Sequence, residues 1–383
     1  MKKRVFISGA TGALGIESIK VVRDYSDRLE LVGFSGYKNV QRILDLCREF
    51  HPRFVGVHPD FVKYVSERCN DENIQIFNVS TELREAVLST NPDLALFLAS
   101  GITSLSAIYA ALKYGIRVGI GNKESIIAGG HIIFSSNFLD KIIPVDSEPS
   151  AIFQCLLGEK KSTVRKLIIT ASGGPFLNTE SSKLQFVTPE EALKHPNWKM
   201  GKKITIDSAT MANKAFEVIE AHFLFGLPYE KITALVHRES VIHSMVEFSD
   251  GNIKALLSPT RMYYPLQFAM FYPDRAENTM KSLDLATIGK FTFEELDTKK
   301  FPLFSFILQI AKSENYLPAL VAADEVAVKA FLDKKIRFTE IYTVMSEVFE
   351  VYTPMPVSSL REIEEEYKRS LRITSDVVKR RAL

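Results

Sequence analysis

The chain has 383 residues, more than the roughly 250 to 300 residues that one hydrophobic core usually organises, so two or three domains are expected. Hydrophobic residues make up 46% and charged residues 25%, a globular mixture that excludes an intrinsically disordered chain. The 48 Lys and Arg residues nearly balance the 46 Asp and Glu residues, so bulk charge predicts neither a nucleic-acid nor a membrane partner. No apolar run reaches the roughly 18 residues that span a bilayer, and three scattered cysteines favour a reducing, cytoplasmic location.

Short runs of Val, Ile, Leu and Phe alternate with helical patterns through the first part of the chain. The runs lack polar alternation, as expected of parallel strands that are covered on both faces. We therefore predict an α/β fold that begins with a Rossmann-like, doubly wound sheet. Its predicted strands lie at residues 5–8, 31–34, 54–57, 74–77, 94–99, 118–120 and 142–145.

The first predicted strand leads into a glycine-rich turn, Gly9-Ala10-Thr11-Gly12-Ala13-Leu14-Gly15, and a helical pattern follows. Glycines here let the backbone approach a pyrophosphate, which a helix N-terminus stabilises, although a tight turn without a ligand is the alternative. The second strand ends without the acidic residue that binds the ribose 2′-hydroxyl in NAD sites. Ser35, Lys38 and Asn39 are instead suited to a 2′-phosphate, so NADP is favoured over NAD.

Polar segments follow the sixth and seventh predicted strands: Gly121-Asn122-Lys123-Glu124-Ser125 and Asp146-Ser147-Glu148. Open α/β sheets build their sites at such strand ends. In extended backbone, residues two apart point to one side, so Asp146 and Glu148 are predicted to converge on a cation. Carboxylates with no His or Cys close by favour Mg²⁺ or Mn²⁺, and a solvated acidic loop is the alternative interpretation.

From about residue 147 the pattern indicates a second domain of α+β type, and the segments after about residue 300 are helical. The runs at 244–248 and 252–257 flank Asp250-Gly251, a strong hairpin signal. We predict a cofactor domain at 1–146, a catalytic domain at 147–275, a linker at 276–299 and a C-terminal helical domain at 300–383.

Two segments of the second domain carry candidate phosphate ligands. Ser172, with the glycines that follow a predicted strand, offers a hydroxyl and backbone N–H groups. After another predicted strand at 204–206, Ser208, Asn213 and Lys214 surround a helix start, which suits a phosphate monoester.

Two further residues of this domain have an open role. Trp198 is the only tryptophan and lies in a loop at 195–201, where it is either a core wedge or a lid over a substrate. Glu217 lies one turn into the helix after Lys214, where it is either a third metal ligand or a carboxylate that complements the helix dipole.

Taken together, these motifs resemble the 1-deoxy-D-xylulose 5-phosphate reductoisomerase family over nearly the whole chain. The segments occur in the family's order: the glycine-rich turn, Gly-Asn-Lys-Glu-Ser, Pro-Val-Asp-Ser-Glu, Ala-Ser-Gly-Gly-Pro-Phe, His-Pro-x-Trp-x-Met-Gly and Asp-Ser-Ala-Thr-Met-x-Asn-Lys. The resemblance implies a homodimeric enzyme of isoprenoid biosynthesis that uses NADPH and Mg²⁺ or Mn²⁺. Its reaction would rearrange and reduce 1-deoxy-D-xylulose 5-phosphate to 2-C-methyl-D-erythritol 4-phosphate.

The resemblance also implies individual roles. The metal ligands would be Asp146, Glu148 and Glu217, and Lys123 would join them as catalytic residues. The substrate-binding residues would be Lys123, Ser147, Glu148, Ser172, His195, Trp198, Met200, Ser208, Asn213, Lys214 and Glu217. The cofactor-binding residues would be Thr11, Gly12, Ala13, Leu14, Ser35, Lys38, Asn39, Ala99, Ser100, Asn122, Glu124 and Gly201.

Two segments depart from the family pattern. Ala10 and Ala13 stand where serines are common, and the run at 258–265 replaces the family's Asp-Met-Arg-x-Pro, which opens the question of how that region packs. Two other functions stay open. One is an NADP-dependent oxidoreductase that acts on another phosphorylated metabolite without rearrangement, and the other is a non-catalytic NADP sensor.

Overall fold

The structure, a computed structural model, describes residues 1–69, 71–134, 138–198 and 200–381. The chain forms two compact units. The first comprises residues 1–125, 136–153 and 261–282, and the second comprises residues 126–135, 154–260 and 283–383. The domain boundaries predicted at residues 146, 275 and 299 stay predictions.

A seven-stranded parallel sheet, with the order β4-β3-β2-β1-β5-β6-β7, forms the centre of the first unit. Its strands are β1 (Lys3–Ser8), β2 (Leu29–Ser35), β3 (Phe54–Val57), β4 (Gln75–Asn78), β5 (Leu94–Phe97), β6 (Arg117–Ile120) and β7 (Ile142–Pro144). Each of the seven strands predicted for this sheet is present, and its ends shift by at most two residues. The strand order reverses between β1 and β5, where doubly wound sheets open a crevice for nucleotides. The predicted α/β fold is confirmed.

Helices account for much of the remaining described chain. The first unit contains α1 (Ala13–Asp24), α2 (Val40–Phe50), α3 (Val62–Arg68), α4 (Val79–Thr90) and α5 (Leu105–Lys113), and it begins α6 (Lys123–Ile133) and α7 (Ser147–Leu156). The second unit contains α8 (Pro189–Ala192), α9 (Lys202–Thr210) and α10 (Ala212–Phe225). Helix α11 (Tyr263–Phe271) returns to the first unit, and the second continues with α12 (Leu285–Ile288), α13 (Pro302–Ile310), α14 (Leu317–Leu332), α15 (Glu340–Val351) and α16 (Leu360–Arg381). No described helix is both long enough and apolar enough to span a bilayer.

The run at 258–265, which departs from the family pattern, packs against α1 of the first unit through Tyr263. This side chain is fully buried, and its hydroxyl donates to Asp24 at 2.8 Å, while the Lys20 ammonium lies 5.5 Å from its ring centre. Asp24 and Lys20 belong to α1, so Tyr263 joins α11 to the helix that follows the glycine-rich turn. The departure therefore forms an ordinary buried contact with a satisfied hydroxyl.

A five-stranded sheet, with the order β11-β10-β8-β9-β12, lies in the second unit. Its strands are β8 (Val164–Ala171), β9 (Ile232–Val236), β10 (Ile242–Phe248), β11 (Ile253–Leu257) and β12 (Glu294–Glu295). Strand β10 pairs antiparallel with β11 across the turn at Gly251, whose φ of +85° suits glycine. The predicted hairpin is confirmed, although β8 and β9 are parallel.

One predicted strand is a helix. Residues 204–206 read as a strand because β-branched residues favour extended backbone, but α9 runs through them. The Thr205 hydroxyl donates to the Gly201 carbonyl one turn earlier at 2.8 Å, and the Lys203 ammonium pairs with Asp207 at 2.6 Å. Burial and contacts of helical spacing thus outweigh a weak local preference.

Candidate active site

The glycine-rich turn joins β1 to α1 in a conformation that needs small residues. Gly9 has a φ of +87°, and a Cβ at Gly15 would lie 2.2 Å from the Gly9 carbonyl oxygen. Gly12 is the N-cap of α1, without a side-chain cap on its free N–H groups. The predicted cofactor residues 11–14 are exposed or partly exposed at this helix start. Such a turn presents backbone donors and the positive end of a helix dipole to a pyrophosphate.

The residues predicted to bind a 2′-phosphate differ in their surroundings. Ser35 is buried at the end of β2, and its hydroxyl accepts from the Gly9 N–H at 3.2 Å and donates to Ser8 at 3.3 Å. Lys38 and Asn39 are exposed, and the Asn39 side chain caps α2. Ser35 therefore supports the turn, and Lys38 is the exposed cation at the end of β2. Their predicted contacts with the phosphate stay predictions.

Asn122 organises the loops at the ends of β5 and β6. Its side-chain amide donates to the Ala99 carbonyl and, at 2.7 Å, to the Gly101 carbonyl, while its oxygen accepts from the Ser125 N–H at 2.7 Å. Ala99 is partly exposed and Ser100 exposed. Asn122 thus fixes the loop that carries two of the predicted cofactor residues.

Lys123 and Asp146 form an ion pair at the ends of β6 and β7. The ammonium lies 2.8 Å from the Asp146 carboxylate, and the two side chains are 8% and 16% exposed. The Ser147 hydroxyl donates to Glu148 at 2.5 Å. The expectation of extended backbone from Asp146 to Glu148 is wrong, because β7 ends at Pro144 and α7 begins at Ser147. Glu148 lies in the first turn of α7, where a carboxylate is stabilised by the helix dipole.

Glu217 is a buried carboxylate on α10 in the second unit. It is 1% exposed, and it accepts from the Asn213 amide at 2.5 Å and from the Lys214 ammonium one turn earlier. The helical spacing of Phe216, Ile219 and Phe223 predicts a buried face that leaves Glu217 outside it, and this prediction is wrong because Glu217 is buried as well. A carboxylate with buried polar partners is part of a functional or structural network. Because Glu217 is buried, the interpretation that it is a solvated carboxylate complementing the helix dipole is excluded.

Ser172 and Ser208 meet through a pair of glycines in the second unit. Gly173 and Gly174 have φ angles of +93° and +66°. A Cβ at Gly174 would lie 2.8 Å from the Ser208 carbonyl oxygen, so the loop after β8 packs directly on the end of α9. Met211, with a φ of +64°, then links α9 to α10. The segments that carry Ser172 and Ser208 are therefore in close backbone contact, which Gly174 makes.

His195 joins this cluster to the predicted loop. Its Nδ1 accepts from the Asn197 and Trp198 N–H groups at 3.1 and 3.0 Å, which assigns the proton to Nε2. Nε2–H then donates to the Ser172 hydroxyl at 3.0 Å. Burial first, and then the Lys214 ammonium, lowers the pKa of His195 from 6.5 to about 4. The imidazole is consequently neutral at pH 7 and shapes the start of the loop.

The loop at 195–201 lies on the turn between β9 and β10. Asn197, which the sequence reasoning did not select, donates to the Arg238 carbonyl at 2.8 Å and to the Ser240 hydroxyl at 2.9 Å. The Trp198 ring is partly exposed and lies 6.0 Å from the His243 ring, edge to face. Met200 is partly buried and Gly201 exposed, while Lys199 lies outside the described residues. The position of Asn197 inside the His-Pro-Asn-Trp motif is the feature of the sequence that indicates its role.

Comparison with models of known protein families shows which family this chain belongs to. A model described as 1-deoxy-D-xylulose 5-phosphate reductoisomerase matches residues 5–130, and models of C-terminal domains of the same enzyme match residues 142–225 and 257–373. The chain belongs to the 1-deoxy-D-xylulose 5-phosphate reductoisomerase family. The family predicted from the motifs is confirmed.

Relatives and solved structures in this family match over nearly their whole length. The reductoisomerase of Anaeromyxobacter dehalogenans is 41% identical over 365 residues, which cover 94% of this chain and 93% of the relative. That of Thermodesulfovibrio yellowstonii is 38% identical over 371 residues, covering 95% and 96%. The structure of the Zymomonas mobilis reductoisomerase with NADPH has a TM-score of 0.91 and 33% identity, covering 99% of this chain and 100% of its own. A reductoisomerase structure with NADPH, fosmidomycin and magnesium also has a TM-score of 0.91, with 31% identity and 98% of both chains covered.

Proposed function

We propose that this protein converts 1-deoxy-D-xylulose 5-phosphate to 2-C-methyl-D-erythritol 4-phosphate with NADPH and a divalent metal ion. The observation that carries the proposal is family membership over nearly the whole chain, with the motif residues retained at strand and helix ends. The reaction contains a carbon-skeleton rearrangement and a hydride transfer. It therefore needs a site for a charged cofactor, a site for a phosphate and a site for developing negative charge.

Asp146, Glu148 and Glu217 are the proposed metal ligands. Carboxylate oxygens are the donors that Mg²⁺ and Mn²⁺ prefer, and each of the three already accepts a hydrogen bond or an ion pair from a neighbouring side chain, which orients it. A divalent ion bound there would supply Lewis-acid stabilisation of negative charge on the substrate oxygens. Lys123, paired with Asp146, and Ser147 would bind the substrate's hydroxyl and carbonyl oxygens.

The phosphate group would bind to Ser172, Ser208, Asn213 and Lys214. Two hydroxyls, an amide and an ammonium near the start of α10 form a donor set that matches a phosphate dianion. Because this group lies away from the reacting carbons, its binding energy can hold the substrate in place during rearrangement. Trp198 would cover the substrate carbon skeleton and exclude water.

The experiment follows NADPH oxidation on addition of 1-deoxy-D-xylulose 5-phosphate, with and without Mg²⁺, and identifies the product by proton NMR. Rearrangement places the methyl group on a quaternary carbon, so its signal is a singlet. Simple reduction leaves the methyl group beside a CH–OH, so its signal is a doublet. A singlet supports the proposal, and a doublet shows reduction without rearrangement. No oxidation at all rejects the proposal and favours the alternative oxidoreductase, which acts on another phosphorylated metabolite.

We further infer that the protein is a homodimer. The second unit carries a small apolar cluster of Ile168, Ile242 and Met245, with Leu235 and Leu257 partly buried against it. Strand β11 is an edge strand with Ile253 53% exposed. An exposed apolar edge is suited to a second copy of the chain. Light scattering after size-exclusion chromatography tests this inference, and a monomer at micromolar concentration would reject it. The predicted cytoplasmic location stays a prediction.

A further inference from the structure

The ammonium of Lys203 lies between two buried carboxylates in the second unit. It is 2.6 Å from Asp207, on its own helix α9, and 2.5 Å from Asp324 on α14. The Asp207 and Asp324 side chains are 3% and 1% exposed. Asp324 is the charged member of an otherwise apolar or alanine-rich buried stripe on α14. Asp207 begins the Asp-Ser-Ala-Thr-Met-x-Asn-Lys motif, whereas Lys203 and Asp324 belong to none of the motifs that predicted the active site.

Three helices meet at this ammonium. Lys203 and Asp207 come from α9, Asp324 comes from α14, and Phe216 of α10 places its ring centre 5.4 Å from the ammonium. The Lys203 side chain is 23% exposed, and the two buried carboxylates that it contacts repel each other more strongly once the cation is removed. Lys203 therefore holds α14 against α9, and its loss would push the two helices apart.

The position of α9 sets the position of the proposed phosphate site. Ser208 follows Asp207 directly, and the chain then passes through Met211, with its φ of +64°, into the first turn of α10. The carbonyl of Ser208 lies so close to Gly174 that a Cβ there would be 2.8 Å away, so a shift of α9 changes the contact between Ser208 and the loop that carries Ser172. A rigid, close-packed element transmits a small displacement to the groups it carries.

We propose that Lys203 is a positioning residue for substrate phosphate, acting through Asp207 and Asp324. The inference rests on the proposed function, in which Ser208, Asn213 and Lys214 take the phosphate. With the ammonium in place, the hydroxyl of Ser208 and the donors at the start of α10 keep their positions relative to Ser172. Without it, those donors move apart and binding of a phosphate weakens, whereas the predicted cofactor residues of the first unit keep their positions.

The test compares Lys203→Met with the wild-type enzyme. We expect the KM for 1-deoxy-D-xylulose 5-phosphate, and the dissociation constant of inorganic phosphate measured by competition, to rise by about tenfold or more. The dissociation constant of NADPH should rise much less than these two constants, because Gly201 at the start of α9 is the one predicted cofactor residue in the second unit and the others lie in the first. Lys203→Arg should restore phosphate binding in large part, since it returns a cation to both carboxylates.

A matched control is Lys329→Met on α14. Lys329 pairs with Asp333 at 2.7 Å, but its side chain is 72% exposed, so this substitution should leave all three constants unchanged. Should Lys203→Met fail to fold, Asp324→Asn is the second variant. It removes one carboxylate charge and keeps the shape of the side chain, and we expect a smaller rise in the same two constants.

The outcomes separate this inference from the proposed function. If phosphate binds equally to the wild-type and Lys203→Met enzymes and the variant merely melts at a lower temperature, Lys203 is structural and the inference is wrong. If wild-type enzyme binds phosphate but does not oxidise NADPH with 1-deoxy-D-xylulose 5-phosphate, the proposed function is wrong. Competition by inorganic phosphate is then replaced by calorimetric titration, which still tests the role of Lys203.

Discussion

At the scale of single residues, substitution of Glu217 is expected to reduce turnover strongly. Glu217→Gln keeps the size of the side chain but removes a charged metal ligand, so turnover should fall by several orders of magnitude, corresponding to several kcal/mol of the barrier. NADPH affinity should be nearly unchanged. Steady-state turnover and the fluorescence of bound NADPH measure the two effects.

The control for this substitution is Glu364→Gln on α16, where the carboxylate is 46% exposed and pairs with Lys368. That variant should behave as the wild-type enzyme does. Near-normal turnover of Glu217→Gln would remove Glu217 from the proposed metal site.

Lys38 is the residue through which NADPH is expected to be distinguished from NADH. It is exposed at the end of β2, so it can meet the 2′-phosphate that NADH lacks. Lys38→Asp should weaken NADPH binding by about tenfold or more and leave NADH binding nearly unchanged, because the new carboxylate repels a phosphate. Lys63→Asp, on α3 with a side chain 90% exposed, is the control. Equal losses for both cofactors would show that Lys38 does not contact the 2′-phosphate.

His195 should make the enzyme sensitive to acid. Its pKa is about 4 in the folded chain and 6.5 as a free side chain, so the unfolded chain binds more protons between these values. The stability that His195 contributes is complete above pH 6.5 and declines as the pH falls towards 4. His195→Asn retains an acceptor near the Nδ1 position but does not titrate, so its melting temperature should fall less over this pH range. Parallel curves for both proteins would contradict the lowered pKa.

At the scale of elements, the loop at 195–201 is expected to move. Trp198 is the only tryptophan, so its fluorescence reports on this loop alone. Adding Mg²⁺ and a phosphonate analogue of the substrate to the NADPH-free enzyme should change the emission, because closure would remove the ring from water. Trp198→Ala should lower turnover about tenfold or more without lowering the melting temperature, whereas Trp198→Phe should retain part of the activity. Constant emission, together with an active but less stable Trp198→Ala variant, would identify Trp198 as a core wedge.

At the scale of the whole molecule, the proposed reaction depends on a divalent metal ion. Treatment with a chelator should abolish turnover, and Mg²⁺ or Mn²⁺ should restore it. Calcium should restore much less, because it takes longer bonds to more ligands than Mg²⁺ does. NADPH binding should persist in the metal-free enzyme. Full turnover after exhaustive chelation would contradict the metal-dependent function.

The sequence by itself determined the sheet of the first unit, the glycine-rich turn and the family. Parallel strands buried on both faces leave continuous apolar runs, and a pyrophosphate turn needs glycines at fixed places, so both are visible without a structure. The motif residues around Asp146, Ser172 and Lys214 were also identified from the sequence, because the order of these motifs along the chain is specific to the family.

Tertiary structure alone decided which local preferences prevailed. Residues 204–206 favour a strand in isolation, yet packing and contacts of helical spacing make them part of α9. Glu217 is buried, and Asp324 lies far along the chain from Lys203 yet 2.5 Å from its ammonium. Local sequence encodes backbone preferences of less than about 1 kcal/mol per residue, whereas burial and the pairing of buried charges depend on groups that only the folded chain brings together.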